Sequence, residues 1–199
     1  MTIRTAKYTI TGNSPLLLNN PQTVDRFNVY AKRMSQINAK KTRRTDADYL
    51  ELRDLEIRSK IYWDDGDGIY VPSRWILAAL AKMSHGVVKI SKANLRGTVF
   101  AVEDKLPLNY RNKSRVKSPE DIIKQDEFRH VMLLPQGGVR IAKATPIFHD
   151  WSFSGTLEYD DTQIDPESLE RLLQHVSKYG GFGDFRPTFG RATAEVTHV

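Results

Sequence analysis

The chain has 199 residues, no cysteine and a formal net charge of +6, with an isoelectric point near 9.5. This length suits one domain, and we expect a single domain over residues 1–199. The absence of cysteine excludes disulfide scaffolds, thiol catalysis and metal sites that need cysteine ligands. The basic balance favours a polyanionic partner, with nucleic acid as the first candidate, although many basic proteins bind no polyanion.

The sequence contains no segment that approaches the roughly 18–20 apolar residues needed to span a bilayer. Residues 1–8 also lack the uninterrupted apolar core of a signal peptide. We therefore expect a cytoplasmic protein that has no membrane partner.

The first part of the chain predicts a strand followed by two helices. Residues 5–12 alternate polar and apolar side chains and end at a glycine, which is typical of a half-buried strand. Apolar residues recur at helical spacing over 24–39, and Thr45 is a candidate N-cap for a second helix. Segment 24–60 is therefore predicted to be an inserted helical hairpin with a basic run, 40–44, at its tip.

The middle of the chain predicts a hairpin, a helix and a long loop. Short aromatic strands flank an Asp/Gly turn at 64–67, and a helix follows over 72–86. Residues 90–102 are predicted to be extended. Residues 107–128 carry many charges and few apolar side chains, so we expect a mobile basic loop there.

The last part of the chain predicts three strands, a helix and a closing strand. The strands cover 130–134, 139–144 and 151–159, the helix opens at Asp165, and the closing strand covers 192–196. Strands mixed with interspersed helices favour an α+β fold. An antiparallel sheet with helices on one face fits the ferredoxin-like pattern.

A glycine-rich segment, 179–191, separates this helix from the closing strand. It contains four glycines, two arginines and three phenylalanines. Glycine allows the backbone to approach phosphate oxygens closely, arginine adds charge, and phenylalanine can stack on bases. The alternative is a tight turn packed on aromatic side chains. No Gly-Lys-Ser/Thr follows, which excludes a Walker motif.

Three short segments together form a wider pattern. They are the glycine-rich segment 179–191, the strand–proline–helix segment 69–80, and the first strand with its exit, 10–16. This pattern resembles the RAMP superfamily of CRISPR-associated RNA-binding proteins. The resemblance implies a ferredoxin-like or RRM-like fold in which a glycine-rich loop precedes the last strand. Backbone subunits of that superfamily usually carry Gly-Ser-Ser where this chain has Arg74 and Trp75. That departure favours a phage-type or stand-alone relative.

Basic side chains and glycines in three places are the candidates for nucleic-acid binding. They are Lys40, Lys41, Arg43 and Arg44 at the hairpin tip; Arg111, Lys113, Arg115 and Lys117 in the loop; and Gly180, Gly181, Gly183, Arg186, Phe189 and Arg191 in the glycine-rich segment. Contacts from such residues to phosphates would give salt-dependent affinity. The alternative is that these residues only form a solvated charged surface. The sequence has no helix-turn-helix, zinc-finger or basic-zipper motif, which favours single strands over duplex DNA.

Because the chain has no cysteine, histidine is the residue type that could still support catalysis. Some RAMP proteins are metal-independent RNA nucleases that use a histidine as general base, so the resemblance makes His85, His130 and His149 candidates. A lone histidine near a helix end is more often a cap or a surface residue. The histidine spacing fits no zinc motif, and the turn at 64–67 lacks the EF-hand pattern. We therefore expect no metal and no cofactor.

The sequence favours a non-catalytic protein that binds single-stranded RNA or DNA and can assemble as a homo-oligomer or nucleoprotein filament. Two alternatives remain open. One is a metal-independent endoribonuclease of the RAMP type, and the other is a phage module that mimics or blocks a CRISPR subunit. The sequence does not separate RNA from single-stranded DNA, because that choice depends on contacts to the 2′-hydroxyl.

Overall fold

The computed structural model describes residues 3–136 and 138–199, and its elements are numbered here in chain order. The strands are β1 (Ile3–Gly12), β2 (Leu16–Leu17), β3 (Trp63–Asp64), β4 (Gly68–Pro72), β5 (Val99–Ala101), β6 (Lys105–Pro107), β7 (Arg129–Gln136), β8 (Val139–Phe148), β9 (Ser152–Asp160) and β10 (Ala192–His198). The helices are α1 (Val29–Ala39), α2 (Asp46–Lys60), α3 (Arg74–Val88), α4 (Lys92–Thr98), α5 (Pro119–Lys124) and α6 (Pro166–His175). A π-helical turn, Val176–Gly180, follows α6.

The chain forms two compact units, and each is assembled from more than one segment. The first unit contains the chain up to Leu16, Asp64–Lys113 and Phe148–Val199. The second unit contains Leu17–Trp63 and Ser114–Ile147. The inserted helical hairpin predicted at 24–60 lies within the second unit.

A four-stranded antiparallel sheet in the order β10-β1-β9-β5 forms the centre of the first unit. Gly12 of β1 pairs with Ala192 of β10, and Thr11 pairs with Ser152 of β9. Because β1 and β5 both run antiparallel to β9, they are parallel to each other, and the connection between them contains α3. The connection from β9 to β10 contains α6 in the same way. This arrangement is ferredoxin-like, so the predicted fold class is confirmed.

Local sequence signals explain the main elements of this unit. Ala6, Tyr8 and Ile10 are at most 2% exposed, whereas the alternate residues of β1 face outward, as the polar–apolar pattern predicts. Helix α6 begins where the carboxylate of Asp165 accepts a hydrogen bond from the Ser168 N–H at 2.8 Å. Its leucines then pack on the sheet and are fully buried.

The second unit combines the α1–α2 hairpin, α5 and the antiparallel pair β7–β8. Thr45 and Asp48 form a capping box, so α2 begins where the sequence predicts. Helix α1 begins five residues later than predicted, at Val29, because the side chain of Asn28 accepts the Tyr30 N–H and caps it there.

The structure corrects two predictions in the first unit. Residues 92–98 form α4 rather than an extended segment, because Ser91 caps the helix by accepting the N–H of Asn94 at 3.1 Å. Helix α3 continues past Gly86 and ends where Lys89 adopts a left-handed conformation with φ of 61°. The predicted stop at Gly86 was therefore two residues early.

The segment predicted as a long loop, 107–128, contains regular structure. Ser118 and Asp121 form a capping box at the start of α5, and Ile122 and Phe128 are buried. Across residues 3–136 and 138–199, no helix is long and apolar enough to cross a bilayer.

Candidate nucleic-acid interface

The glycine-rich loop, residues 181–191, is closed at its base by backbone contacts. The Phe182 N–H donates a hydrogen bond to the Gly190 carbonyl at 2.9 Å. Gly181 and Gly190 have φ values of +68° and +74°, a region that L side chains rarely adopt. A Cβ atom on Gly190 would lie 1.8 Å from the Phe182 carbonyl oxygen. Glycine is therefore required for the two arms of the loop to meet.

The loop is also bound to the segment that leaves β1. The Gly190 N–H donates to the Pro15 carbonyl at 2.8 Å, and the Arg191 N–H donates to Ser14 Oγ at 2.9 Å. The Asn13 N–H donates to the Arg191 carbonyl at 2.7 Å. The fold thus brings together two of the segments, 10–16 and 179–191, whose pattern resembles the RAMP superfamily.

Three buried aromatic rings pack together at the base of the loop. Phe182 is fully buried and packs edge-to-face on Phe153 and Trp151, with ring centroids 5.7 and 6.5 Å apart. The Trp151 indole N–H donates to the Ser14 carbonyl at 2.7 Å. Phe182 is thus part of a tight, aromatic-packed turn, which was the alternative interpretation of this segment.

The far part of the loop is exposed. Phe185 is 37% exposed and has a φ of 52°, and Arg186 and Arg191 are both exposed. Within the part of the chain that the structure describes, neither arginine has an ion-pair partner. Phe189 is half-buried, and its N–H donates to the Phe185 carbonyl at 3.2 Å. The loop therefore presents two available cations on a fixed backbone.

Arg111 lies at the same end of the sheet. Its N–H donates to the His149 carbonyl at 3.0 Å, and its guanidinium forms an ion pair with Asp150 at 2.7 Å. Both partners lie within three residues of the start of β9, whose first residue pairs with β1 next to its end. The Arg111 guanidinium also holds the pKa of the Asp150 carboxyl below its ordinary value. Arg111 is thus near the glycine-rich loop, but its charge is already compensated.

Three further candidates lie in the same unit. Gly183 has a φ of 74°, and Gly180 lies at the end of the π-helical turn, where a Cβ would be 3.1 Å from Met83 Sδ. The Lys113 ammonium lies 3.4 Å from Asn109 Oδ1. The glycines therefore have identifiable backbone and packing roles.

The hairpin tip belongs to the second unit, and two of its four basic residues have local partners. The Lys40 ammonium forms an ion pair with Asp48. The Arg44 guanidinium donates to the Lys41 carbonyl at 3.0 Å and lies 5.1 Å from the centroid of the Tyr49 ring. These two side chains stabilise the connection between α1 and α2.

Lys41 and Arg43 at the tip are both exposed. They begin and end the 3₁₀ turn Lys41–Arg43, and among the described residues neither has an ion-pair partner. Arg115 and Lys117 also lie in the second unit, where Arg115 is 3.7 Å from the Glu127 carboxylate. The basic residues predicted in one loop are thus divided between the two units.

The candidate catalytic histidines lie on three different elements. His85 is exposed on α3, His149 precedes β9, and His130 lies on β7 in the second unit. In the described ranges, no group of three or more metal-ligating side chains comes together.

Two exposed aromatic–cation pairs escaped the sequence predictions. The Lys178 ammonium lies 5.3 Å from the centroid of the Tyr179 ring, which is 55% exposed. Arg26 lies 5.1 Å from the ring centroid of Phe27, which is 66% exposed. In both pairs a basic residue directly precedes an aromatic one, so adjacency in the sequence was the available signal.

Comparison with known proteins gives similarity in fold alone. No protein-family model matches the chain, and no curated protein matches its sequence. The chain is similar to one in the cryo-EM structure of the type III-B Cmr-beta bound to cognate target RNA. The TM-score is 0.50 and the sequence identity is 12%, over 99% of this chain and 61% of that chain.

The chain thus spans about three fifths of the length of that neighbour. The crystal structure of Cmr6 from Pyrococcus furiosus is 13% identical over 98% of this chain and 100% of that one. Its TM-score of 0.36 is too low to support an argument. The fold shared with the Cmr-beta chain agrees with the ferredoxin-like fold that the RAMP resemblance implies.

Proposed function

We propose that this chain is a non-catalytic, RAMP-type protein that binds single-stranded RNA through the end of the sheet that carries the glycine-rich loop. The observation that supports this most is the exposed pair Arg186 and Arg191. Their loop is fixed by the Phe182–Gly190 contact and by buried aromatic rings. Binding to such a loop costs little conformational entropy, because its backbone is already ordered.

The surroundings of the two arginines fit a single strand better than a duplex. Phe185 exposes part of its ring beside Arg186, and an exposed aromatic ring can stack on an unpaired base. The guanidinium groups can each contact a phosphate in two places. The exposed pair Lys41 and Arg43 adds positive charge in the second unit.

Likeness to a chain whose structure contains target RNA supports RNA over single-stranded DNA. It also supports a place in a CRISPR effector assembly, in the cytoplasm, over a phage-type or stand-alone relative. In such an assembly the chain would bind RNA beside other subunits or further copies of itself. The alternative as an endoribonuclease has no support from the placement of His85, His130 and His149.

The test is a binding measurement with labelled 10-nucleotide RNA and DNA single strands and a DNA duplex, at two salt concentrations. Arg186→Ala combined with Arg191→Ala should weaken RNA binding by about 1–3 kcal/mol, or about 5- to 150-fold, because two phosphate or base contacts are lost. Wild type should bind RNA most tightly and bind the duplex least.

A matched control removes two charges at the opposite end of the sheet. Lys92 and Arg96 are exposed on α4, which leads into β5, where Val99 pairs with Tyr159 near the end of β9. The double alanine variant at these positions should keep nearly wild-type affinity. An equal loss in both variants would mean that net charge, not the loop, controls binding. No RNA binding by wild type at low salt would overturn the proposed function.

A further inference from the structure

A pocket of about 590 Å³ opens between α3 and α6 in the first unit. It is lined by Lys82, Met83, Gly86 and Val87 of α3 and by His175 at the end of α6. Lys82 is basic, Met83 and Val87 are apolar, and none of the lining side chains is acidic. The pocket therefore combines apolar walls with positive charge at its rim.

Gly86 forms part of this pocket without a packing reason to be glycine. It lies inside α3, where glycine costs about 1 kcal/mol relative to alanine. A Cβ atom there would meet nothing within 4 Å. The missing side chain therefore leaves helix backbone open to the pocket, where a ligand can approach closely.

An exposed aromatic ring continues the pocket on the α6 side. The Tyr179 ring centroid lies 4.8 Å from that of His175, and the Lys178 ammonium lies 5.3 Å from the Tyr179 centroid. Gly180 holds the π-helical turn against the pocket wall, because a Cβ on it would lie only 3.1 Å from Met83 Sδ. Rings and cations thus lie next to the open backbone of α3.

We propose that this pocket binds one unpaired nucleotide. The base would lie over Gly86 between Met83 and Val87, and Lys82 and Lys178 would contact its phosphate. Apolar walls, open space at Gly86 and nearby lysines fit a planar base that is joined to a phosphate. The acid-free lining disfavours a basic peptide. This inference rests on the proposed function, because it gives the bound strand a second contact on the helical side of the first unit.

The test uses a variant that should fold at least as well as wild type. Gly86→Ala places a methyl group on the pocket floor and raises helix propensity, so the melting temperature should stay the same or rise. Binding of a 10-nucleotide RNA should weaken by at least about 5-fold, the smaller end of the range for one stacked base. Gly97→Ala is the matched control, because Gly97 is also helical and also has open space at its Cβ.

Uridine and adenosine 5′-monophosphate distinguish a free nucleotide from one within a strand. Loss of 10-mer affinity in Gly86→Ala, with no mononucleotide binding by wild type, supports a nucleotide within a strand. Loss of mononucleotide affinity alone assigns the pocket to a free nucleotide and overturns its role in strand binding. Wild-type affinity of Gly86→Ala for every probe overturns the pocket. If Arg186→Ala with Arg191→Ala still weakens RNA binding in that case, the proposed function stands without the pocket.

Discussion

The glycine-rich loop and the hairpin tip are both basic and irregular, yet the chain stabilises them in different ways. The loop is fixed by its backbone, through the Phe182–Gly190 contact and the links to the segment after β1. The tip is fixed by its charges, since Lys40 is paired with Asp48 and Arg44 lies on Tyr49. As a result, both loop arginines remain available, but only half of the basic residues at the tip do.

The difference implies that positive charge in a sequence overestimates the charge available to a ligand. A basic residue that caps or pairs within its own turn is partly neutralised before any ligand arrives. A loop that relies on glycine and a buried ring does not use its cations for folding. We therefore expect the two regions to respond differently to substitution, salt and pH.

The largest expected effect is on the loop backbone. Gly190→Ala should destabilise the protein by about 3 kcal/mol, because the new Cβ would overlap the Phe182 carbonyl at a φ that disfavours alanine. RNA affinity should fall as well. Urea unfolding, with Gly97→Ala as the control for adding a methyl group at a glycine, measures the change. A midpoint equal to that of wild type would mean that the loop does not depend on the Phe182–Gly190 contact.

A smaller effect is expected at the hairpin tip. Lys41→Ala combined with Arg43→Ala should weaken RNA binding by about 1 kcal/mol. The slope of log affinity against log salt concentration should become shallower by about one for each of the two residues that contacts a phosphate. Stability should stay unchanged, since neither side chain supports the turn. Titrations at several salt concentrations measure both quantities. If this pair costs as much affinity as Arg186 and Arg191 together, the two regions contribute equally and the contrast fails.

The smallest expected effect is the pH dependence of stability that arises from Asp48, beside the tip. The Lys40 ammonium, followed by the Thr45 N–H, holds the pKa of the Asp48 carboxyl below its usual value. Ionised Asp48 therefore stabilises the fold above its unfolded-state pKa of about 3.9, and this contribution is lost as pH falls through the lower folded-state pKa. The melting temperature of Asp48→Asn should lie below that of wild type near pH 6, and the gap should close in acid. A gap that is constant with pH would show that ionisation of Asp48 is irrelevant.

Elements with strong local signals were predictable from the sequence. The alternation of β1, the Thr45 cap of α2 and the start of α6 at Asp165 are all confirmed. Helix α4 was missed because its seven residues include a glycine and bury only Leu95, so they carry no helical periodicity. Ser91 caps this helix locally, and packing against α3 adds a stabilisation that no local pattern reveals.

The sequence proposes the residues of the candidate interface but does not show how the fold arranges them. The link between Asn13 and Arg191 and the pair Arg111–Asp150 join distant parts of the chain. These contacts follow from the order of the strands in the sheet. The sequence predicted the fold class but not that order. The roles of the candidate residues in binding stay predictions until the affinity measurements are made.

The pairing of β1 with β10 has a consequence for biosynthesis. Ala6 pairs with His198 and Gly12 with Ala192, so β1 must wait for β10, which follows the other strands of this sheet along the chain. The Phe182–Gly190 contact, which closes the glycine-rich loop, lies just before Ala192 and depends on the same closure. A nascent chain that stops short of β10 has neither the closed loop nor the complete sheet. We therefore expect nascent chains to acquire RNA-binding ability only after β10 has joined the sheet.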